Sequence, residues 1–193
     1  MKSIGFYDQH AQSYIERTKS LDLGTLYPHF EKYLGEGSHV LDLGCGSGRD
    51  SLYFEGKGYQ VTALDGSLEM VSHCRRILNG RVVHSSFEAY QTHEAYDGIW
   101  ACASLLHVDR DQLAACVHKY IGYLKPRGVL FMSFKVYEED FEFEGRSFTC
   151  FSEDAFTDFV NGLEGIKVER MALSKSIQDN ELDWISAILI KED

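Results

Sequence analysis

The stretch that most limits what this chain can fold into is Val40-Leu-Asp-Leu-Gly-Cys-Gly-Ser-Gly48. Val40, Leu41 and Leu43 form a short apolar run of strand type, closed by Gly44, Gly46 and Gly48. Polar, helix-forming sequence follows, with Ser47 placed as an N-cap. A strand, a glycine turn and a helix start offer backbone N–H groups and a positive helix end to a ligand, with no Cβ atoms in the way. A second apolar run, Tyr59–Leu64, ends in Asp65. A carboxylate at the tip of the second strand of such a unit is placed to accept both hydroxyls of a ribose. Together the two features point to a nucleoside-containing cofactor. They do not reproduce the dinucleotide fingerprint G-x-G-x-x-G, because the third glycine arrives one residue early; Asp42 adds a carboxylate beside the turn.

The rest of the chain alternates. Residues 6–18 carry Tyr7, Ala11, Tyr14 and Ile15 at helical spacing, and a second helix is predicted over Thr25–Leu34, with Pro28 in its first turn. Strands are predicted at Val40–Leu43, Gln60–Leu64, Arg81–His84, Asp97–Cys102 and Val129–Phe134. Helices fall between them at Arg49–Gly56, Leu68–Leu78 and from Asp109 to Tyr123; Asp109 and Gln112 have capping-box spacing. Lys125-Pro-Arg-Gly128 reads as a turn. Such alternation implies a parallel sheet with right-handed crossovers. Residues 136–150 break the rhythm as an irregular or hairpin excursion over the ligand edge. A helix capped by Ser152 and two strands, Ile166–Leu173 and Trp184–Ile190, joined by a polar loop from Ser174 to Asp183, complete the chain. Without repeats or a linker, 193 residues are read as one domain: a helical cap (1–35), a cofactor-binding core (36–135) and a substrate-side excursion with final strands (136–193).

Composition narrows the function classes. The net charge is −11, from 19 basic and 30 acidic residues, which repels a phosphate backbone and argues against nucleic acid as substrate. Five cysteines and eight histidines are dispersed without metal-ligand spacing, so no protein-held metal is expected. The start of the chain has no signal-peptide core and no stretch reaches the ~18 apolar residues of a membrane span. A cytoplasmic protein, monomer or homodimer, is the expectation.

Four segments resemble the class I S-adenosylmethionine-dependent methyltransferases in order and spacing: Leu41-Asp-Leu-Gly-Cys-Gly-Ser-Gly48, Val61-Thr-Ala-Leu-Asp-Gly-Ser67, Tyr96-Asp-Gly-Ile-Trp100 and Leu124-Lys-Pro-Arg-Gly-Val-Leu130. The resemblance implies an α/β, Rossmann-like, mostly parallel seven-stranded sheet, order 3-2-1-4-5-7-6 with the last strand antiparallel. It implies S-adenosylmethionine as cofactor and S-adenosylhomocysteine as product. Asp42, Gly44, Cys45, Gly46, Ser47 and Gly48 would then surround the methionine portion and Asp65 the ribose. Gly66, Ser67 and Met70 would flank the adenine, with Ser86, Phe87 and Glu88 at its edge. Ala101, Cys102 and Leu106 would line the methionine side, and Tyr14, with Tyr7, would close over it from the first helix; both tyrosines equally suit docking of a terminal helix.

Substrate residues are harder to name. His107 is placed to deprotonate a nucleophile, or to cap the following helix. Arg49 and Arg146 suit an anionic substrate group, or solvent. Trp100 and Trp184 suit a pocket wall, or the core. After the fourth strand no Asn/Asp-Pro-Pro-Tyr motif occurs, which lowers nucleobase-amine and glutamine-amide acceptors. The first half is most similar to the tellurite-resistance methyltransferases, although no equivalent basic C-terminal segment is present. The expected activity is methyl transfer to an oxygen, nitrogen or chalcogen atom of a small molecule. The alternatives are a non-catalytic cofactor-binding regulator and an NAD-dependent oxidoreductase.

Overall fold

The computed structural model describes residues 3–177 and 182–193. Two helices, α1 (Ile4–Thr18) and α2 (Tyr27–Glu31), precede the alternating part. That part runs β1 (His39–Leu43), α3 (Arg49–Gly56), β2 (Gln60–Asp65), α4 (Leu68–Ile77), β3 (Arg81–His84) and β4 (Tyr96–Ala101). A 3-10 turn (Leu105–His107), α5 (Arg110–Tyr123) and β5 (Leu124–Lys135) follow. A hairpin of β6 (Phe141–Phe143) and β7 (Arg146–Phe148), then α6 (Glu153–Asn161), β8 (Ile166–Ser174) and β9 (Trp184–Lys191), end the chain. Residues 178–181 of the loop expected between the last two strands lie outside the described residues.

Seven strands form one sheet in the order β3-β2-β1-β4-β5-β9-β8. The pairings from β3 to β5 are parallel, whereas β9 runs antiparallel to both β5 and β8. Counting sheet strands alone, this is 3-2-1-4-5-7-6. Strand order reverses between β1 and β4, and ligands of open α/β sheets bind at the carboxyl ends of strands beside such a reversal. The glycine turn leaves β1 at that point.

Side-chain alternation divides the core into two faces. Leu41, Leu43, Ile99, Ala101, Leu130 and Met132 pack toward α5 and α6. Their neighbours Val40, Trp100, Val129 and Phe131 pack toward α2 and α3 with Phe30 and Phe54. Period-two alternation therefore sends Trp100 to the opposite face from Ala101. It is 0% exposed and stacked on Phe131, ring centroids 4.0 Å apart. Of the two places the sequence left open for Trp100, pocket wall or core, the structure takes the core, so Trp100 is not a substrate-pocket residue.

Several boundaries also differ from expectation. The second helix keeps five residues, with Pro28 in its first turn. Gly48, not Ser47, is the N-cap of α3, at φ +75°, and Asp109 caps α5 by position without a side-chain hydrogen bond. The Lys125–Gly128 segment bulges out of β5: Leu124 pairs with Tyr96, and Val129 with Gly98. Ser152 caps α6 as read, accepting from the Ala155 N–H. Residues 136–150 do contain a hairpin. Its turn residues Glu144 and Gly145 both have positive φ (50° and 77°), the backbone that a tight two-residue turn requires.

Candidate active site

At the carboxyl edge of the sheet a cavity of about 540 Å³ opens between the glycine turn, α1, the 3-10 turn and the hairpin. A narrower cleft of about 40 Å³ runs from it toward Asp65, Gly66, Met70 and Phe87. Both share Tyr7, Tyr14, Gly44, Gly46, Ala103 and His107, so they meet at those residues.

The turn side is fixed by carboxylates. Gly44 and Gly46 have positive φ (81° and 50°), and a Cβ on Gly44 would stand 2.4 Å from that of Ser104, so only glycine fits there. Asp65 ends β2; its Oδ2 accepts from the Gly46 N–H at 2.9 Å and its Oδ1 from the Ser67 N–H at 2.8 Å. Burial raises this carboxyl above its ordinary range, and the Ser67 and Gly46 N–H bonds limit the rise. A carboxylate has about four lone-pair sites, so acceptor capacity remains for a further donor in the cleft, although the Gly66 N–H acts on it as well.

Asp50, the second residue of α3, accepts from Arg49 Nε and Nη2 (2.7 and 2.8 Å), Tyr27 Oη (2.6 Å) and Trp100 Nε1 (2.8 Å). Burial works against its charge, but Arg49 and these donors hold the carboxyl below its ordinary range. Arg49 lines the cavity, yet its fork is closed on Asp50. Asp42 lies beneath the turn and accepts from Ser51 Oγ at 2.6 Å; burial, then the Asp50 charge, raises its pKa.

The opposite wall is assembled from distant segments. Ala103, at φ +51°, turns the chain after β4 while Ser133 Oγ accepts from its N–H at 2.8 Å. The 3-10 turn that follows presents His107. Its Nδ1 lies 2.8 Å from the Ser147 carbonyl of β7, which can only accept, so Nδ1 carries the proton. Nε2 therefore accepts from Tyr7 Oη at 2.8 Å. Ser3 Oγ, 3.3 Å from Nδ1, accepts from the Ser147 N–H at 3.1 Å, clasping the start of α1 to the hairpin. Burial lowers the His107 pKa to about 4, and the Arg146 and Lys135 cations act in the same direction, against the Ser147 hydrogen bond. Burial, then Tyr14, raises the Tyr7 phenol.

Of the residues singled out in the sequence, Tyr7, Tyr14, Cys45, Ser47, Cys102, Leu106, Arg146 and Trp184 line the cavity, as do those already placed there. Others stand back from it. Gly48 packs toward Cys74 and Ile77, and Ala101 is buried toward α5. Ser67 Oγ caps α4 and donates to Asp8 at 2.6 Å. Ser86 Oγ accepts from the Ala89 N–H, and the Glu88 carbonyl from Lys119; of that trio only Phe87 reaches the cleft. The sequence reading missed Ser3, Ser104, Ser133 and Lys135. Ser3 precedes Tyr7 by one helical turn, and Ser133 and Lys135 end a strand at the ligand edge; those positions were the available signals.

Comparison with known proteins agrees with this geometry. Residues 40–128 match a family model described as a methyltransferase domain. The matched segment carries the glycine turn, the Asp65 strand tip and the 3-10 turn that presents His107. It is 39% identical over 74 residues to a malonyl-[acyl-carrier protein] O-methyltransferase of Pectobacterium atrosepticum, covering 38% of this chain and 26% of that protein. The chain spans between about a quarter and two fifths of the length of the curated relatives it matches. Among solved structures it is similar to a Burkholderia thailandensis 1,6-didemethyltoxoflavin-N1-methyltransferase with bound S-adenosylhomocysteine. The TM-score there is 0.76 at 21% identity, covering 97% of this chain and 88% of that one. A looser likeness, to TehB from Haemophilus influenzae (TM-score 0.69, 18% identity, 96% and 66% covered), is one of fold alone and does not single out the tellurite-resistance group.

The site fits S-adenosylmethionine on its own features. Asp65 lines the cleft with acceptor capacity left, and the buried Ser104 Oγ, which also lines it, makes no hydrogen bond within the protein. Among the described residues no group of His, Cys, Asp and Glu is arranged to hold a metal ion.

Proposed function

We propose that this protein is a methyltransferase that moves the methyl group of S-adenosylmethionine to an oxygen or nitrogen atom of a small molecule by in-line displacement. The observation that carries this reading is the junction of the two spaces. A cleft ending in a ribose-type carboxylate opens, past two glycines, into a larger cavity beside a neutral histidine. The cofactor supplies an electrophilic methyl on a sulfonium; Asp65 and the Gly44–Ser47 turn would hold its ribose and amino-acid ends. Alignment of this kind contributes about 7–11 kcal/mol toward the barrier. Tyr7 and Tyr14 of α1, with the hairpin, would keep water from the junction.

His107 is uncharged at neutral pH, with its Nδ1 proton committed to Ser147. A substrate hydroxyl or amine taking the place of Tyr7 would hand its proton to Nε2. A site of such low proton affinity mainly orients the acceptor's lone pair and passes the proton on. An O-methyltransferase and an N-methyltransferase among the similar proteins support both acceptor atoms. A chalcogen acceptor, and the tellurite-resistance grouping, have only the fold likeness to TehB in their favour.

Calorimetric titration with S-adenosylhomocysteine, followed by turnover of S-adenosylmethionine against a metabolite panel, tests the reading. Asp65→Ala removes the carboxylate that would accept from the ribose, so its affinity should fall about ten- to a hundredfold. An unchanged dissociation constant would place the cofactor elsewhere. Tight binding without product on any substrate would favour a regulatory module, and saturable NADH binding an oxidoreductase.

A further inference from the structure

The described cavity wall inverts the charge of the chain. The whole protein carries −11, yet this wall holds Arg17, Arg49, Lys135, Arg146 and Lys175 against only Asp50 and Glu144. Its two best-buried arginines differ in one respect. Arg49 places Nε and Nη2 on the buried Asp50, so a matched carboxylate already answers its fork. Arg146, at the start of β7, has no such partner. Its side chain is only 11% exposed, and Nη2 is 3.1 Å from Glu144 Oε2, a carboxylate whose side chain is 57% exposed. Its buried Nε makes no hydrogen bond within the protein. A buried donor left without a partner carries a desolvation penalty that a ligand oxygen would remove.

The guanidinium is also held in place. It lies 4.1 Å from the Phe6 ring centroid and 5.2 Å from that of Phe148. Stacking of this kind fixes the planar fork, so little conformational freedom is lost when an oxyanion docks. Lys135, at the tip of β5, lies 6.0 Å from the same Phe148 ring and 4.8 Å from that of Trp184. Two cations from separate strands thus converge on one aromatic wall beside His107. On the far side of the cavity Arg49 belongs to α3, directly after the glycine turn, so the hairpin end is left for the second reactant.

We propose that the hairpin end of the cavity is an oxyanion subsite. In it Arg146, assisted by Lys135, anchors a carboxylate or phosphonate group of the methyl acceptor. The substrates are then small organic anions with a flat apolar body lying against Phe148 and Trp184. This assignment rests on the methyltransferase reading above.

The test uses the full chain loaded with S-adenosylhomocysteine. It is titrated with benzoate, 4-hydroxybenzoate, phenylacetate and phenylphosphonate, each paired with its uncharged amide or ester. At least one acid is expected to bind about tenfold more tightly than its neutral partner. In Arg146→Met that ratio should fall to about two or less, and Arg146→Lys should restore part of it. The proposal is overturned if no acid outbinds its neutral partner, or if the preference survives Arg146→Met. Thermal melting checks that each variant folds. If Arg146→Met does not, Lys135→Met carries the test: a loss of about threefold in the ratio is expected, and an unchanged ratio overturns the proposal. Failure of the wild type to bind S-adenosylhomocysteine would defeat the functional reading itself. Binding of that product without any anion preference would defeat only the subsite.

Discussion

The glycine-turn wall and the hairpin wall of the same cavity are built on opposite plans. On the turn side charged groups are answered from within: four donors converge on Asp50, Ser51 serves Asp42, and two N–H groups serve Asp65. On the hairpin side Arg146 keeps a buried, unbonded Nε, and His107 is neutral between the hairpin and Tyr7. The first wall is a finished polar network, with the Asp65 carboxylate and one serine hydroxyl lining the cleft. The second has donors in place before any ligand arrives. A nucleoside-type cofactor site can be built from backbone and short-range contacts. A site for one acceptor draws on whatever side chains the fold brings near.

The largest expected effect lies in the turn-side network. Asp50→Ala would leave the Arg49 charge buried without its partner, at a loss of about 3–5 kcal/mol in urea unfolding. A loss below ~1 kcal/mol would show that Arg49 finds water instead, and the two walls would differ less than they appear.

His107 tests the other wall through pH. Its folded pKa of about 4 lies below the ordinary 6.5, so the unfolded chain binds the extra proton first. Stability from this group is complete above pH ~6.5 and is lost at up to about 1.4 kcal/mol per unit as pH falls toward 4. His107→Gln should flatten that part of the pH dependence relative to the wild type. Identical slopes for the two proteins between pH 6.5 and 4.5 would mean that His107 is not held neutral by burial.

The smallest effect concerns Ser104, whose hydroxyl is buried in the cleft without a partner. Ser104→Ala should leave unfolding unchanged or add about 1 kcal/mol, while weakening S-adenosylhomocysteine by a few-fold. If the substitution destabilises the protein and spares the affinity, the hydroxyl serves the fold and the cleft loses one of its donors.

How far the site could be read in advance follows the same division. Val40–Gly48 and Asp65 were legible because a strand, its turn and the next strand tip are set by local pattern. Asp65 then meets Gly46 across one parallel pairing. The partner of Arg49 was not legible, because nothing in its neighbourhood reveals that Asp50 folds back on it while also serving Tyr27 and Trp100. Trp100 was left open between pocket wall and core, and parity along β4 decided it: one step exchanges the α5 face for the α2 face. His107 was found, but not its state, which depends on Tyr7, Ser147 and two cations from three other elements.

By itself the sequence determined the alternating sheet, the glycine turn and the carboxylate one strand over. Each of these follows from hydrophobic period and backbone freedom, which act over a few residues. Only the tertiary structure decided which arginine is already paired and which has a donor to spare, and that His107 stays uncharged. Those properties depend on burial and on partners up to 144 positions apart, as between Ser3 and Ser147. Desolvation and pairing are set by where the folded chain places its surfaces, and no local pattern encodes that.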